Sequence, residues 1–313
     1  MTLAPPIARD VLSRIGGTSM VALQRVPVPN GCRILLKLES ENPTGSMKDR
    51  TALAMIEAAE AHGRLARGGS VVEYTGGSTG VSLALVCAVK GYPIRIVSSD
   101  AFAREKLQHM EALGARLDLV RSDGGGMTER LTRDMVETAR VIAKEPGSLW
   151  TDQLRNTDQL AAYHRLASEI LAQAEGRVDA FVQSVGTAAS LRGIAEGLRR
   201  DATGSRMRVV AVEPAESAVL SGGAPGSHGI DGVGAGFVVP LWNAGIADEI
   251  ERVSTDEAAA MSLRLAREEG LFGGTSTGGN VVAALRLAGR LPAGSTIATI
   301  LCDTGMKYLS KMH

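Results

Sequence analysis

Short β-branched runs alternate with helical patterns along this chain, and Gly, Ser and Thr crowd the places where strand passes into helix. Alternation of this kind builds strand–helix–strand units and a mostly parallel sheet, so the fold class is α/β. The clearest strands are Arg33–Leu38, Val71–Tyr74, Ile94–Val97, Arg116–Val120, Ala180–Gln183, Val209–Val212 and Thr296–Leu301. Two helices can be read in detail. Ser254-Thr-Asp-Glu257 fits a capping box, after which Ala258, Met261, Leu265 and Ala266 fall at helical spacing. Between Thr128 and Ala143, Leu131, Met135, Ala139 and Ile142 form an apolar stripe among charged residues. The segment Ser122-Asp-Gly-Gly-Gly126 reads as a mobile loop.

A chain of 313 residues buries one large or two ordinary cores, and two lobes are expected. Apolar residues are 44%, charged residues 22%, and Lys+Arg balance Asp+Glu at 34 each, so composition names no partner. Nucleic-acid binders usually carry a basic excess and stacking aromatics. Here the net charge is zero and aromatics are 3%, which disfavours nucleic acid. Met1–Arg14 has no apolar core of signal-peptide length, and no later run is long enough to span a bilayer, so a cytoplasmic protein is expected. Cys32, Cys87 and Cys302 lie far apart and show no CxxC spacing, which indicates reduced thiols. The five histidines, His62, His109, His164, His228 and His313, show no HExxH spacing, and no metal is expected.

Open α/β sheets bind ligands where strands end and helices begin, and four segments place chemistry there. The first is Asn42-Pro-Thr-Gly-Ser-Met-Lys48-Asp-Arg50, ahead of an alanine-rich helix. A lysine at the positive end of a helix dipole is biased toward its neutral amine, which suits Schiff-base chemistry; a solvated Lys48 pairing with Asp49 is the plainer alternative. The second is Thr75-Gly-Gly-Ser78-Thr79-Gly80, whose glycines admit a ligand to the backbone and whose hydroxyls suit a carboxylate or phosphate. It is neither GxGxxG nor a Walker A loop. The third, Gly186-Thr187-Ala188-Ala189-Ser190, offers successive amides as an anion cradle, or an ordinary Ser N-cap. The fourth comprises Gly273–Gly279 and Cys302-Asp303-Thr304-Gly305, preceded by the glycine-dense Gly232-Val-Gly-Ala-Gly236.

In this order, from about Gly16 to Tyr308, the segments resemble the cysteine synthase and cystathionine β-synthase family of fold-type-II pyridoxal 5′-phosphate (PLP) enzymes. The resemblance implies a two-lobed, tryptophan synthase β-like fold with mostly parallel sheets flanked by helices. Residues 39–150 would form a smaller mobile lobe, and residues 1–38 with 151–313 a larger PLP-binding lobe. Lys48 is then the cofactor lysine. Thr75, Gly76 and Thr79 match the loop that grips the substrate carboxylate, helped by Gln153; Ser78 stands where the family has Asn, so a shorter hydroxyl or a water makes the ring contact. Gly186, Thr187, Ala188, Ala189 and Ser190 match the phosphate cup, with two family glycines replaced by alanine. A cup donates through backbone amides, so alanine is harmless there unless positive φ is required. Gly234 matches the loop framing the site mouth. Thr304 sits where the family places a hydroxyl beside the pyridine nitrogen, a neutral partner that favours β-elimination. Asp303 is its rival, since alternation directs only one of the two to that side.

The implied reaction is β-replacement on a serine derivative such as an O-acetylserine-like donor, through an α-aminoacrylate. A small nucleophile then gives cysteine or another β-substituted alanine. The alternatives are elimination without replacement, as in a serine dehydratase or cysteine desulfhydrase, cystathionine synthesis, and a non-catalytic relative that binds a partner. A homodimer is implied on the same grounds.

Overall fold

A computed structural model describes residues 7–122, 128–201 and 207–311. Among these residues ten strands form two sheets: β1 Met20–Ala22, β2 Arg33–Leu38, β3 Ser70–Tyr74, β4 Ile94–Ser99, β5 Arg116–Val120, β6 Ser148–Trp150, β7 Ala180–Ser184, β8 Arg208–Pro214, β9 Glu249–Val253 and β10 Thr296–Leu301. The larger sheet runs β1-β2-β10-β7-β8-β9 and the smaller β5-β4-β3-β6. Every pairing is parallel except β1 against β2, as expected for an α/β chain. The helices are α1 Lys48–Ala61, α2 Ser78–Lys90, α3 Arg104–Ala112, α4 Glu129–Ile142, α5 Gln159–Gln173, α6 Ala189–Asp201, α7 Thr255–Arg264 and α8 Thr275–Ala288.

All seven strands read from the sequence are present, and β1, β6 and β9 are additional. β1 and β6 have only three residues each. β9 is an edge strand, Glu-Ile-Glu-Arg-Val, whose charges mask its periodicity. The capping box forms in both directions between Ser254 and Glu257, and the Thr128 hydroxyl accepts from Leu131 N at 3.1 Å to cap α4. Asp123–Gly126, most of the segment read as a mobile loop, lie outside the described residues.

The larger sheet is buried on both faces, which is why its strands read as continuous apolar runs. Phe181, Val209, Ala211 and Ile300 face α5 and α6, while Val182, Val210, Val212 and Ile297 face α7 and α8. Each fully buried large side chain of this kind contributes roughly 1.5–3 kcal/mol. In the smaller sheet, Val71, Ile94 and Ile96 pack on α1 and α2, and Val72 and Val97 pack on α4.

One buried ionic cluster ties the elements around the Lys48 loop together. Arg50, on α1, donates to Glu39 at 2.7 and 2.9 Å and to Glu169 of α5 at 2.7 and 2.7 Å. Lys37 of β2 meets Glu169 at 2.8 Å, and the side chains of Thr18 and Asn42 satisfy Glu39 at 2.7 and 2.9 Å. Burial alone would raise the Glu169 carboxyl, but hydrogen bonds and charge from Arg50 and Lys37 outweigh it and hold it at about 2, against an ordinary 4.5. A depressed acid stabilises the fold above its unfolded value and loses that contribution as pH falls toward its folded value. Glu169→Gln should therefore be less stable than wild type near neutrality and show a shallower loss of stability on acidification from about pH 4.5 toward pH 2. Denaturant midpoints across that range check this, and parallel acid limbs for the two proteins would contradict it.

Candidate active site

The C-terminal ends of β3, β7 and β10 converge on a cavity of about 740 Å³ lined from both sheets. Three backbone contacts fix the loop that delivers Lys48 to it: Met47 N donates to Cys302 O at 2.9 Å, Thr304 N donates to Gly45 O at 2.9 Å, and Ser46 bridges to Asp303. Gly45 is required here, with φ +73 and an added Cβ only 2.6 Å from the Thr304 methyl. Lys48 is thereby the first residue of α1, and its amine faces the cavity. It is partly exposed where it lines this cavity, and burial draws its pKa below the ordinary lysine range against the opposing charges of Cys302 and Asp303. Asp49 does not pair with it: its carboxylate accepts from Thr44 N at 2.7 Å and from the Thr44 and Ser82 hydroxyls at 2.5 Å each. That removes the plainer alternative for Lys48.

Across the cavity, Thr75–Thr79 turns from β3 into α2. The Thr75 hydroxyl accepts from Gly77 N at 3.1 Å, and Thr79 donates to Gln153 Oε1 at 2.8 Å. Phe102, from the loop after β4, lies so close over Gly76 that a Cβ there would sit 1.8 Å from the ring. Ser78 donates to Asp303 Oδ2 at 3.1 Å and accepts from Lys307 Nζ at 3.3 Å.

Gly186–Ser190 forms the turn into α6. A Cβ on Gly186 would lie 2.4 Å from Gly232 O, so the two loops touch through backbone, and Gly234 N donates to Val185 O at 3.0 Å. Ala188 has φ +69. The condition under which alanine is not harmless is thus met: a left-handed alanine costs about 1–2 kcal/mol that glycine would not. Thr187 and Ser190 line the cavity, and Ser190 accepts from Gln183 Nε2 at 3.3 Å.

Of the two rivals at the end of β10, Asp303 lines the cavity and Thr304 does not. The Thr304 hydroxyl accepts from Met306 N at 3.3 Å, while Asp303 is held by Ser78 and by the Tyr308 hydroxyl at 2.5 Å. The hydroxyl that lines this wall is Ser276, in the first turn of α8 and 5% exposed. Inside a glycine-rich run nothing singles Ser276 out, and Phe102 and Tyr308 reach the site only through tertiary packing.

The residues fit PLP on their own geometry. A desolvated lysine amine can hold its aldehyde, and the amides of a turn at a helix N-terminus, with Thr187 and Ser190, can hold its phosphate. The class of protein this defines is a lysine-anchored PLP enzyme. The chain belongs to the family described as pyridoxal-phosphate dependent enzyme, whose profile matches residues 11–303. It is 39% identical over 304 residues to a cysteine synthase of Staphylococcus aureus, covering 96% of this chain and 95% of the relative. A crystal structure of cysteine synthase from Entamoeba histolytica superposes with a TM-score of 0.91 at 36% identity, covering 99% of this chain and 93% of that one. An O-acetylserine dependent cystathionine beta-synthase from Helicobacter pylori gives 0.91 at 33%, covering 98% and 99%. The two-sheet α/β architecture is thus that of the fold-type-II PLP enzymes.

Gly186→Ala should weaken PLP binding at least about tenfold, because its Cβ meets backbone that cannot rotate away. Ala188→Gly should bind at least as tightly as wild type, since it removes the left-handed strain. Titrating PLP into the two apoproteins tests both, and equal affinities would contradict the geometry.

Proposed function

We propose that this chain catalyses PLP-dependent β-replacement on an O-acetylserine-like donor, giving cysteine or another β-substituted alanine. The observation that carries the reading is the Lys48 amine, desolvated and turned from Asp49, between the Thr75–Thr79 loop and the Gly186–Ser190 turn. The similar cysteine synthases support the same donor and reaction.

When bound, PLP supplies an electron sink for the pair left on the substrate α-carbon. Lys48 would hold the cofactor, and its amine would take the proton from the substrate α-carbon, a role that requires the neutral form its burial favours. Thr75, Gly76, Thr79 and Gln153 hold the substrate carboxylate. The amides of Gly186, Thr187, Ala188 and Ala189, with the Ser190 hydroxyl, hold the cofactor phosphate. Ser78 takes the family asparagine's place beside the ring, and Gly234 frames the mouth. We assign the neutral hydroxyl at the ring nitrogen to Ser276 in place of Thr304, because Ser276 lines the cavity and Asp303 is engaged by Ser78 and Tyr308.

Residues 39–150 form the smaller lobe in this reading, closing on residues 1–38 and 151–313 to exclude water. The family resemblance supports a cytoplasmic homodimer. Among the described residues no helix is long and apolar enough to cross a membrane.

Holoenzyme given O-acetyl-L-serine and sulfide should release acetate and cysteine, and Lys48→Ala should lower the rate by about three orders of magnitude. Chromatography of the products checks this. Pyruvate and ammonia in the presence of the nucleophile would replace the reading with net elimination, and an unreactive donor would overturn the substrate assignment.

A further inference from the structure

Glu73 has no place in the chemistry above, yet it is a fully buried carboxylate, 0% exposed, one residue before the end of β3. Burial, helped by the nearby charge of Asp152, raises it to about 7 against the lowering effect of its hydrogen bonds. Four donors offset that cost. Oε1 accepts from Tyr74 N at 2.9 Å and Trp150 Nε1 at 3.4 Å; Oε2 accepts from the Thr151 hydroxyl at 2.6 Å and Gln153 N at 3.0 Å. Three of the four belong to the last residue of β6 and the segment that follows it.

That segment is strained. Asp152 has φ +44, and its Oδ1 is buried without a partner. A non-glycine residue held in the left-handed region persists only where its surroundings over-determine it, and the Glu73 carboxylate grips both flanks of Asp152. The result is the pose of Gln153, whose Nε2 donates to Tyr74 O at 3.0 Å while its Oε1 accepts from Thr79 at 2.8 Å. The contacts thus run without a break from Glu73 through Gln153 to the Thr79 hydroxyl.

We propose that Glu73 is a positioning residue for the substrate carboxylate: through the Thr151–Gln153 turn it fixes the Gln153 amide and the Thr79 hydroxyl in register. The inference rests on the reading that Thr79 and Gln153 hold that carboxylate. Glutamine at position 73 keeps the shape but presents an NH₂ to donors that need an acceptor, so the turn must shift.

The test is steady-state kinetics of the holoenzyme with O-acetyl-L-serine and sulfide. Glu73→Gln should raise KM for the amino acid about tenfold and change kcat less than about threefold, with an unchanged PLP dissociation constant. Placed on Gln153→Ala, the same substitution should add less than about twofold, because its effect passes through Gln153. Thr151→Val, which removes one donor and leaves Glu73 intact, should reproduce a smaller rise of about threefold and decides the matter if Glu73→Gln does not fold. An unaltered KM in the folded variants, or a full tenfold effect in the Gln153→Ala background, would overturn the proposal for Glu73 alone. A wild-type enzyme that does not turn the donor over would overturn the carboxylate reading with it.

Discussion

Everything at the site depends on the backbone seam between the Gly45–Lys48 loop and the end of β10. β10 is a central strand of the larger sheet, whereas α1, which begins at Lys48, packs its Ala52, Met55, Ile56 and Ala59 against the smaller sheet. The seam joins the two through Met47 N to Cys302 O and Thr304 N to Gly45 O, each at 2.9 Å. Side chains could have positioned the lysine, but backbone hydrogen bonds do so without rotamer freedom. The same residues cannot also turn their side chains at will: once Thr304 N is used on Gly45, its methyl faces Gly45 and its hydroxyl faces Met306 N, and Asp303 is left to the cavity.

Buried charge is distributed around this seam in two ways. Arg50, Glu39, Glu169 and Lys37 form a closed set in which every charge has a partner, and they lock β2, α1 and α5 behind the lysine. Buried pairs of this kind are weak evidence for net stability, because desolvation opposes the attraction, but removing one member leaves a stranded charge. Glu73 is the opposite case: the four groups that donate to it are neutral, and it pins a strained turn. The first arrangement fixes where α1 starts; the second fixes what faces it across the cavity.

These differences also explain what was legible in the sequence. Strands β2, β7, β8 and β10 are apolar on both faces and so declare themselves as unbroken runs, while β9 alternates charge at an edge and does not. The Ser254–Glu257 capping box is a purely local interaction, and it forms as read. Lys48, the Thr75–Thr79 loop and the Gly186–Ser190 turn stand out because glycine, hydroxyl and lysine at strand ends are chemically unusual. The positions of Ser276, Phe102 and Asp303 follow from how separate loops meet, which spacing along the chain does not encode. Alternation offered Asp303 or Thr304 for the cavity; Asp303 lines it because the seam with Gly45, a partner more than 250 residues away, holds Thr304 elsewhere.

The two cup positions show why residue type alone is a poor guide to tolerance. Gly186 has an ordinary φ that alanine could adopt, yet its Cβ has no room, since Gly232 O would lie 2.4 Å away. Ala188 has the φ that favours glycine, yet its Cβ is accommodated and the chain bears the local strain. The same methyl is therefore carried at position 188 at a conformational cost and excluded two residues earlier, although both fall in the same turn. The distinction is steric at the first and conformational at the second. It follows that the cradle's shape is set by the Gly232–Gly234 loop pressed against Gly186, while the direction in which its amides point is set by the left-handed residue at position 188.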